Sequence, residues 1–417
     1  MKITDVRVIR FKKDTWLGSD KDGHMHPCKK RDSSVSLVEI ETDEGIVGQY
    51  LSADIWQTPS KVFDESAVED DTLVNYELAG TGHFLSAAIN KLKPILIGED
   101  PMCREKIFTK IFRMQRIGGA IPIGDEVVRV VDTALWDLFG KAVKLPIYKI
   151  LGGHRTRIPA YGSIMVGDDI PSGLDTPEAY GSYAKKLVKR GYRGIKLHTW
   201  MDEKWADNKI SGLPDIERDL DACRAVREAV GDDVPLFLDP FHNYTREQAL
   251  YIGRELEKLN FEWMEEPMDE YDIEAYRWLT SKLPGLSVCG PETAHGKGQT
   301  RAEWIRSKAC DIVRAGLTDV GGITPFMKIV HLCELNGMPL EVHAGGADTI
   351  QVLAAMGIPG KYYERGLLHP FLEYDTIPPW LLEAADYMDD EGYIHVPERP
   401  GCGYMLNWDY INQNIIK

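Results

Sequence analysis

Three carboxylates stand at the ends of three successive strand-like runs: Asp239 in LFLDPFHNY, Glu265 in WMEEP and Glu292 in CGPET. The steps are nearly equal, 26 residues from 239 to 265 and 27 from 265 to 292. His343, in PLEVHAGG, lies 51 residues beyond Glu292, two more steps of about that length, and the triplet Lys196-Leu197-His198 lies upstream. One chemically competent residue per strand–helix unit is what the C-terminal mouth of a β/α barrel supplies. The spacing therefore points to a barrel of about 200 to 250 residues, and 417 residues leave room for a second domain.

The pattern along the chain agrees. ITDVRVIRF alternates apolar and polar residues, and SVSLVEIETDEGIVGQYLS reads as a hairpin turning at Asp43-Glu44-Gly45. Between them, residues 15–34 read as a polar loop rich in charge and histidine, His24 included. Residues 1–125 form an α+β capping domain on this reading, and 126–154 a connecting helical region through VVRVVDTALWDLFGKAV. From 155 to 374 strands alternate with helices: RIPAYGSI, RGIKLH, PLFLD, FEWMEE, LSVCG, DIVRAG and PLEVH are the strands. Thr245 and Gln248 make a capping box, and Thr324, Pro325 and Gly337 are expected to frame the helix before PLEVH as N-cap, first residue and C-cap. Such alternation implies a parallel sheet with helices outside. After about residue 375 the pattern stops, and 375–417 are expected to return to the capping domain.

Charge and cysteine content narrow the partners. The formal net charge is −16 with no long Lys/Arg run, which disfavours nucleic acid and anionic membranes. No window of 18 uninterrupted apolar residues occurs, so no membrane span is expected. Seven cysteines without a CxxC pair favour reduced thiols and a cytoplasmic setting over a disulfide framework or zinc.

Any one acidic residue at a strand end is commonly a helix cap or a solvated loop residue. Three at consecutive strand ends would repel one another across a barrel mouth, and a hard divalent cation removes that cost. Oxygen-only ligands favour Mg²⁺, then Mn²⁺, over zinc. Lys196 and His198 are two residues apart and so share a strand face. With His343 they can move protons beside the cation. His242, three residues after Asp239, is a helix-cap or substrate-contact candidate. The assembly reads as an enzyme.

These residues resemble the enolase superfamily, and within it the mandelate racemase/muconate lactonizing enzyme-like sugar-acid dehydratases. TALWDLFGKAVKLPIYKILGG resembles the helix before the barrel, RIPAYGS the first barrel strand, and DVGGIT the stretch after the sixth. The resemblance implies a modified TIM barrel, (β/α)7β, capped by an α+β domain. It also implies Mg²⁺ on Asp239, Glu265 and Glu292, and abstraction of the proton α to a carboxylate to give a metal-stabilised enediolate. Glu364, in KYYERG, matches the family's acid that hydrogen-bonds the substrate carboxylate, and a homo-oligomer is expected.

Two departures bear on mechanism. The family's Lys-x-Lys is here Lys196-x-His198, and its sixth-strand aspartate, which pairs with the seventh-strand histidine, is replaced by Gly316. His343 is therefore expected to lack a carboxylate partner, with Arg314 nearby lowering its basicity further. A racemase with two strong bases then fits poorly. The expected activity is dehydration of an aldonate or aldarate to a 2-keto-3-deoxy acid, with catalysis by His198, His343 and Lys196 and substrate contacts from His242, Glu364, Arg314 and His24. The alternatives are an epimerase, racemase or lactone cycloisomerase, or a catalytically silent metal-binding homologue.

Overall fold

The computed structural model describes residues 1–19, 24–68, 82–117, 122–200, 216–357 and 360–416. The alternating N-terminal runs form a three-stranded antiparallel sheet, Ile3–Ser19, Met25–Thr42 and Val47–Leu51, in that spatial order. Gly45 (φ 76°) supplies the left-handed residue in the turn between the second and third strands. Residues 15–19 and 25–34, expected in a loop, are strand. The first two strands run on as a paired hairpin, with Leu17 opposite Pro27 and Ser19 opposite Met25. Its tip, residues 20–23, lies outside the described residues.

The helix Asp125–Val143 joins the capping sheet to the barrel because it is apolar on more than one face. Val127, Val131, Ala134 and Leu138 pack into the cap's own core with Val38, Ile40 and Leu92. Arg129, Asp132, Thr133 and Trp136 reach the barrel, while Asp137 and Lys141 bond to the cap at Gln49. Arg129 forms a bidentate pair with Asp348 (Nε 3.0 Å, Nη2 2.8 Å), to which Thr133 also donates. Asp132 accepts the Thr324 N–H at 2.8 Å, and the Trp136 indole donates to the Thr324 hydroxyl at 2.9 Å. Thr324 thus lies inside the helix and is not its N-cap. The helix begins at Ile323 with Gly322 as its cap, and Gly337 closes it as expected.

Eight parallel strands follow: Arg157–Ile164, Ile195–Leu197, Leu236–Leu238, Trp263–Glu265, Ser287–Cys289, Val313–Gly316, Leu340–His343 and Tyr363–Leu368. The eighth pairs with the first, and pairing continues in order to the fifth. A bridge from Cys289 to Ile312 carries it to the sixth, which pairs with the seventh. Side chains close the remaining seam: the Tyr362 N–H donates to Glu341 and the Ala344 N–H to Glu364. A helix follows each of the first seven strands, and among the described residues the helix after the eighth is the short Trp408–Gln413 of the C-terminal segment, giving the (β/α)7β barrel with its α+β cap. The C-terminal segment packs Trp380, Leu381 and Ile411 against Phe11, Val35, Leu37 and Leu51 of the capping sheet.

Asp54, from the cap, accepts the Ala347 N–H at 2.6 Å where the loop after the seventh strand enters its helix. Burial pushes its carboxyl up to about 7, and the nearby Asp348 adds to the rise. A carboxyl raised on folding contributes stability at low pH that is lost as pH rises through the folded value. Asp54→Asn should therefore gain in thermal midpoint over the parent at pH 8, and the gain should shrink below pH 7 and vanish only as pH falls under the ordinary carboxyl value of 3.8. A gain independent of pH would remove Asp54 as its source. Among the described residues no helix is long and apolar enough to cross a membrane.

Candidate active site

The barrel interior is built by the two-residue period of its strands. Phe237, Trp263, Ile312 and Tyr362 form a buried apolar plug with Tyr161 and Cys289, in which Phe237 stacks on Trp263. Two residues further along the same four strands stand Asp239, Glu265, Arg314 and Glu364. Hydrophobic filling below thus fixes the height of four charged side chains above.

Lys196 and Arg314 hold this layer together. The Lys196 ammonium is 3.0 Å from Asp239, 3.2 Å from Glu265 and 3.0 Å from Glu364. The Arg314 guanidinium reaches Glu265 at 2.8 Å, Glu292 at 3.1 Å and Glu364 at 2.7 Å, and donates to the Val342 carbonyl. Burial opposes both charges, but the surrounding carboxylates outweigh it and hold both groups well above their ordinary values. Glu364 is held well below the usual carboxylate range, since Lys196 and Arg314 overcome its burial. Arg314 is fully buried and does not line the cavity, so it supports the carboxylates and is not placed to bind substrate as expected.

The four carboxylates Asp239, Glu265, Glu292 and Glu364 face two permanent cations. The shortfall shows at Glu292, where burial pushes the carboxyl up to about 7 although His343 and Arg314 pull it down. Among the described residues no three His, Cys, Asp or Glu side chains are closed round one point. Lys196 stands between Asp239 and Glu265, and Arg314 between Glu265 and Glu292. The donor set itself, three buried carboxylates with excess negative charge and oxygen atoms only, suits a hard divalent cation.

Two histidines flank the set from strands on different sides. His198 Nδ1–H donates to the Ile164 carbonyl at 2.7 Å, which fixes the tautomer and leaves Nε2 beside Asp239 at 3.0 Å. His343, about a third exposed, has Nε2 3.2 Å from Glu292. Its Nδ1–H donates to Asp319 at 3.2 Å. The expectation that His343 lacks a carboxylate partner is thus overturned. Asp319 lies in the turn Leu317–Val320, and its carboxylate folds back to accept the Gly316 N–H at 2.6 Å. Gly316 provides the room: a Cβ there would lie 2.7 Å from the Asp319 carboxylate oxygen. Burial works to lower the His343 basicity, but Glu292 and Asp319 overcome it and raise the ring to about 10. The expected lowering by Arg314 is outweighed. The sequence signal for Asp319 is Gly-x-x-Asp after a strand, a local turn closed by a side chain.

A cavity of about 370 Å³ lies over these groups. Lys196, His198, Asp239, Glu292, His343 and Glu364 line it from the barrel, and Leu17, Met25 and Gln57 from the cap. His24 leans edge-on against Phe241, which lines the cavity, with ring centroids 5.7 Å apart. His242 turns away: Nδ1 is 3.2 Å from Glu270, and Nε2 is 3.3 Å from the Thr293 hydroxyl. A larger cavity, about 630 Å³, separates the C-terminal segment from the barrel. Its arginines are committed to Asp375, Asp386 and Glu383, and it holds no comparable constellation.

Fold and site together define a capped barrel that gathers carboxylates and proton-transfer groups at one mouth. Residues 179–410 match the enolase C-terminal domain-like family, and residues 23–152 the mandelate racemase / muconate lactonizing enzyme N-terminal domain. The chain belongs to the mandelate racemase/muconate lactonizing enzyme family of the enolase superfamily. It is similar to arabinonate dehydratase of Saccharolobus solfataricus, with 35% identity over 76% of this chain and 79% of that one. It is also similar to L-talarate/galactarate dehydratase of Salmonella typhimurium, with 29% identity over 80% and 76%. The crystal structure of D-glucarate dehydratase from Agrobacterium tumefaciens complexed with magnesium superposes with a TM-score of 0.86 and 44% identity over the whole of both chains.

Proposed function

We propose that the chain is a Mg²⁺-dependent hydro-lyase that dehydrates a sugar acid to a 2-keto-3-deoxy acid. The observation that carries this reading is the pair of histidines flanking one carboxylate cluster, each with Nδ1 tied down and Nε2 beside a different carboxylate. The similar proteins named as dehydratases, one of them solved with magnesium, support it. Asp239, Glu265 and Glu292 would hold the cation. When bound, Mg²⁺ supplies positive charge to a substrate carboxylate and so acidifies the α-proton.

His198 would take that α-proton at Nε2 once this nitrogen has given up the proton it shares with Asp239, its Nδ1–H staying on the Ile164 carbonyl. Lys196, kept charged by its carboxylate neighbours, lends further positive charge to the substrate carboxylate. His343, protonated because Asp319 supports its charge, gives a proton to the departing β-hydroxyl, which leaves as water. The same His343–Asp319 pair removes the objection to two-base chemistry, and epimerisation is the second reading on that ground.

Product analysis separates the two. The full chain with Mg²⁺ and a panel of aldonates and aldarates should release a 2-keto acid. Deuterium entering C2 with only the epimeric acid recovered would replace dehydration by epimerisation. No exchange and no product from any acid would leave the reading without support.

A further inference from the structure

His198 stands one residue past the last paired position of its strand. The second barrel strand pairs with the first as far as Ile164 opposite Leu197, and with the third as far as Leu197 opposite Leu238. Sheet register thus stops just short of a residue whose imidazole has to be aimed. The next backbone tie between the segments that follow strands one and two runs from the Gly167 N–H to the Thr199 carbonyl, and it is long at 3.3 Å. Between the two a side chain takes over. The Tyr180 hydroxyl lies 2.6 Å from the His198 carbonyl, to which it donates, and 3.2 Å from the Met165 carbonyl. Met165 and His198 are the residues that follow the last pair, one on each segment.

The rest of Tyr180 holds that hydroxyl in place. It lies in the first turn of the helix Pro177–Arg190, whose N-terminus Thr176 caps by accepting the Ala179 N–H. Its side chain is fully buried and meets Trp200 edge-on, with ring centroids 5.1 Å apart. The bond that orients His198, from Nδ1–H to the Ile164 carbonyl at 2.7 Å, ends one residue before Met165. Both bonds therefore depend on one separation, that between the two strand ends.

From this geometry we infer that Tyr180 is a positioning residue for His198, its hydroxyl clamping the two strand ends at the separation that keeps Nδ1–H on the Ile164 carbonyl and Nε2 beside Asp239. The consequence for turnover rests on the reading above, in which His198 takes the α-proton.

Tyr180→Phe keeps the ring on Trp200 and removes the clamp, a loss of one hydroxyl that a folded barrel tolerates. The full chain with Mg²⁺, carrying isotope-labelled histidine and tryptophan, is followed by NMR, the His198 signal being the one absent from His198→Asn. In Tyr180→Phe the His198 Nδ1–H should exchange with water about tenfold faster, while the Trp136 indole N–H, held by Thr324, keeps its rate. On a sugar acid that the parent dehydrates, kcat should fall about tenfold with KM unchanged. An unchanged His198 rate overturns the inference. So does a Trp136 rate that rises equally, because the hydroxyl then serves stability alone, and so does a faster His198 rate with kcat intact. If the His198 rate rises selectively but the parent turns over none of the acids, the dehydratase reading fails and the positioning of His198 stands.

Discussion

Changing Asp239, Glu265 or Glu292 singly to its amide should lower turnover of the sugar acid by about a thousandfold or more, the several kcal/mol that a Lewis-acid cation contributes. Mg²⁺ affinity, read by calorimetry, should fall in all three variants. Their stabilities should differ. Glu265 pairs with both Lys196 and Arg314, so its loss leaves two buried cations short of a partner, and that variant should be the least stable. Glu292 carries the excess negative charge, with a carboxyl raised to about 7. Glu292→Gln should therefore be at least as stable as the metal-free parent at pH 8 while binding Mg²⁺ worst. Unchanged Mg²⁺ affinity in all three variants would remove these residues as ligands.

The two histidines should separate under isotope exchange. His198→Asn should lose both exchange of the C2 proton with solvent and dehydration. His343→Asn should keep exchange while dehydration falls by about 10² to 10⁴, the usual range for a general acid. Asp319→Asn should resemble a weakened His343. Glu292 still raises the ring but the charge and hydrogen bond of Asp319 are gone, so the imidazolium is lost at lower pH and the alkaline limb of dehydration moves down. Exchange lost in His343→Asn and kept in His198→Asn would exchange the two roles. An Asp319→Asn profile identical to the parent's would show that Asp319 does not act through His343.

The barrel was legible because its signals are periodic. Apolar runs ending in a charged residue, separated by helical stretches of even length, reflect strands buried on both faces, and they mark the layer that holds Asp239, Glu265 and Glu364. The residues the structure adds obey no such period. Asp319 reaches His343 from a turn, through a side chain that doubles back on Gly316, and strand register does not announce that. Arg314 was visible, but its role was not: a buried guanidinium reads as a substrate ligand until its four partners are seen to lie within the barrel. The hairpin beyond Thr15 was hidden because both of its faces are partly exposed, so neither carries an apolar stripe. Gln57 lies in a cap loop whose contact with Leu367 spans 310 residues of sequence, and no local pattern predicts that.

Gly316 and Asp319 also have a historical meaning. A side chain at 316 and the carboxylate of 319 claim the same space, so the two positions cannot be changed independently. Adding aspartate at 316 to this chain would crowd the resident carboxylate, and removing Asp319 first would leave the histidine unsupported. A lineage passing between the two arrangements crosses an intermediate worse than either end. A column-by-column comparison then scores a functional dyad as missing when it has only moved by one turn of chain.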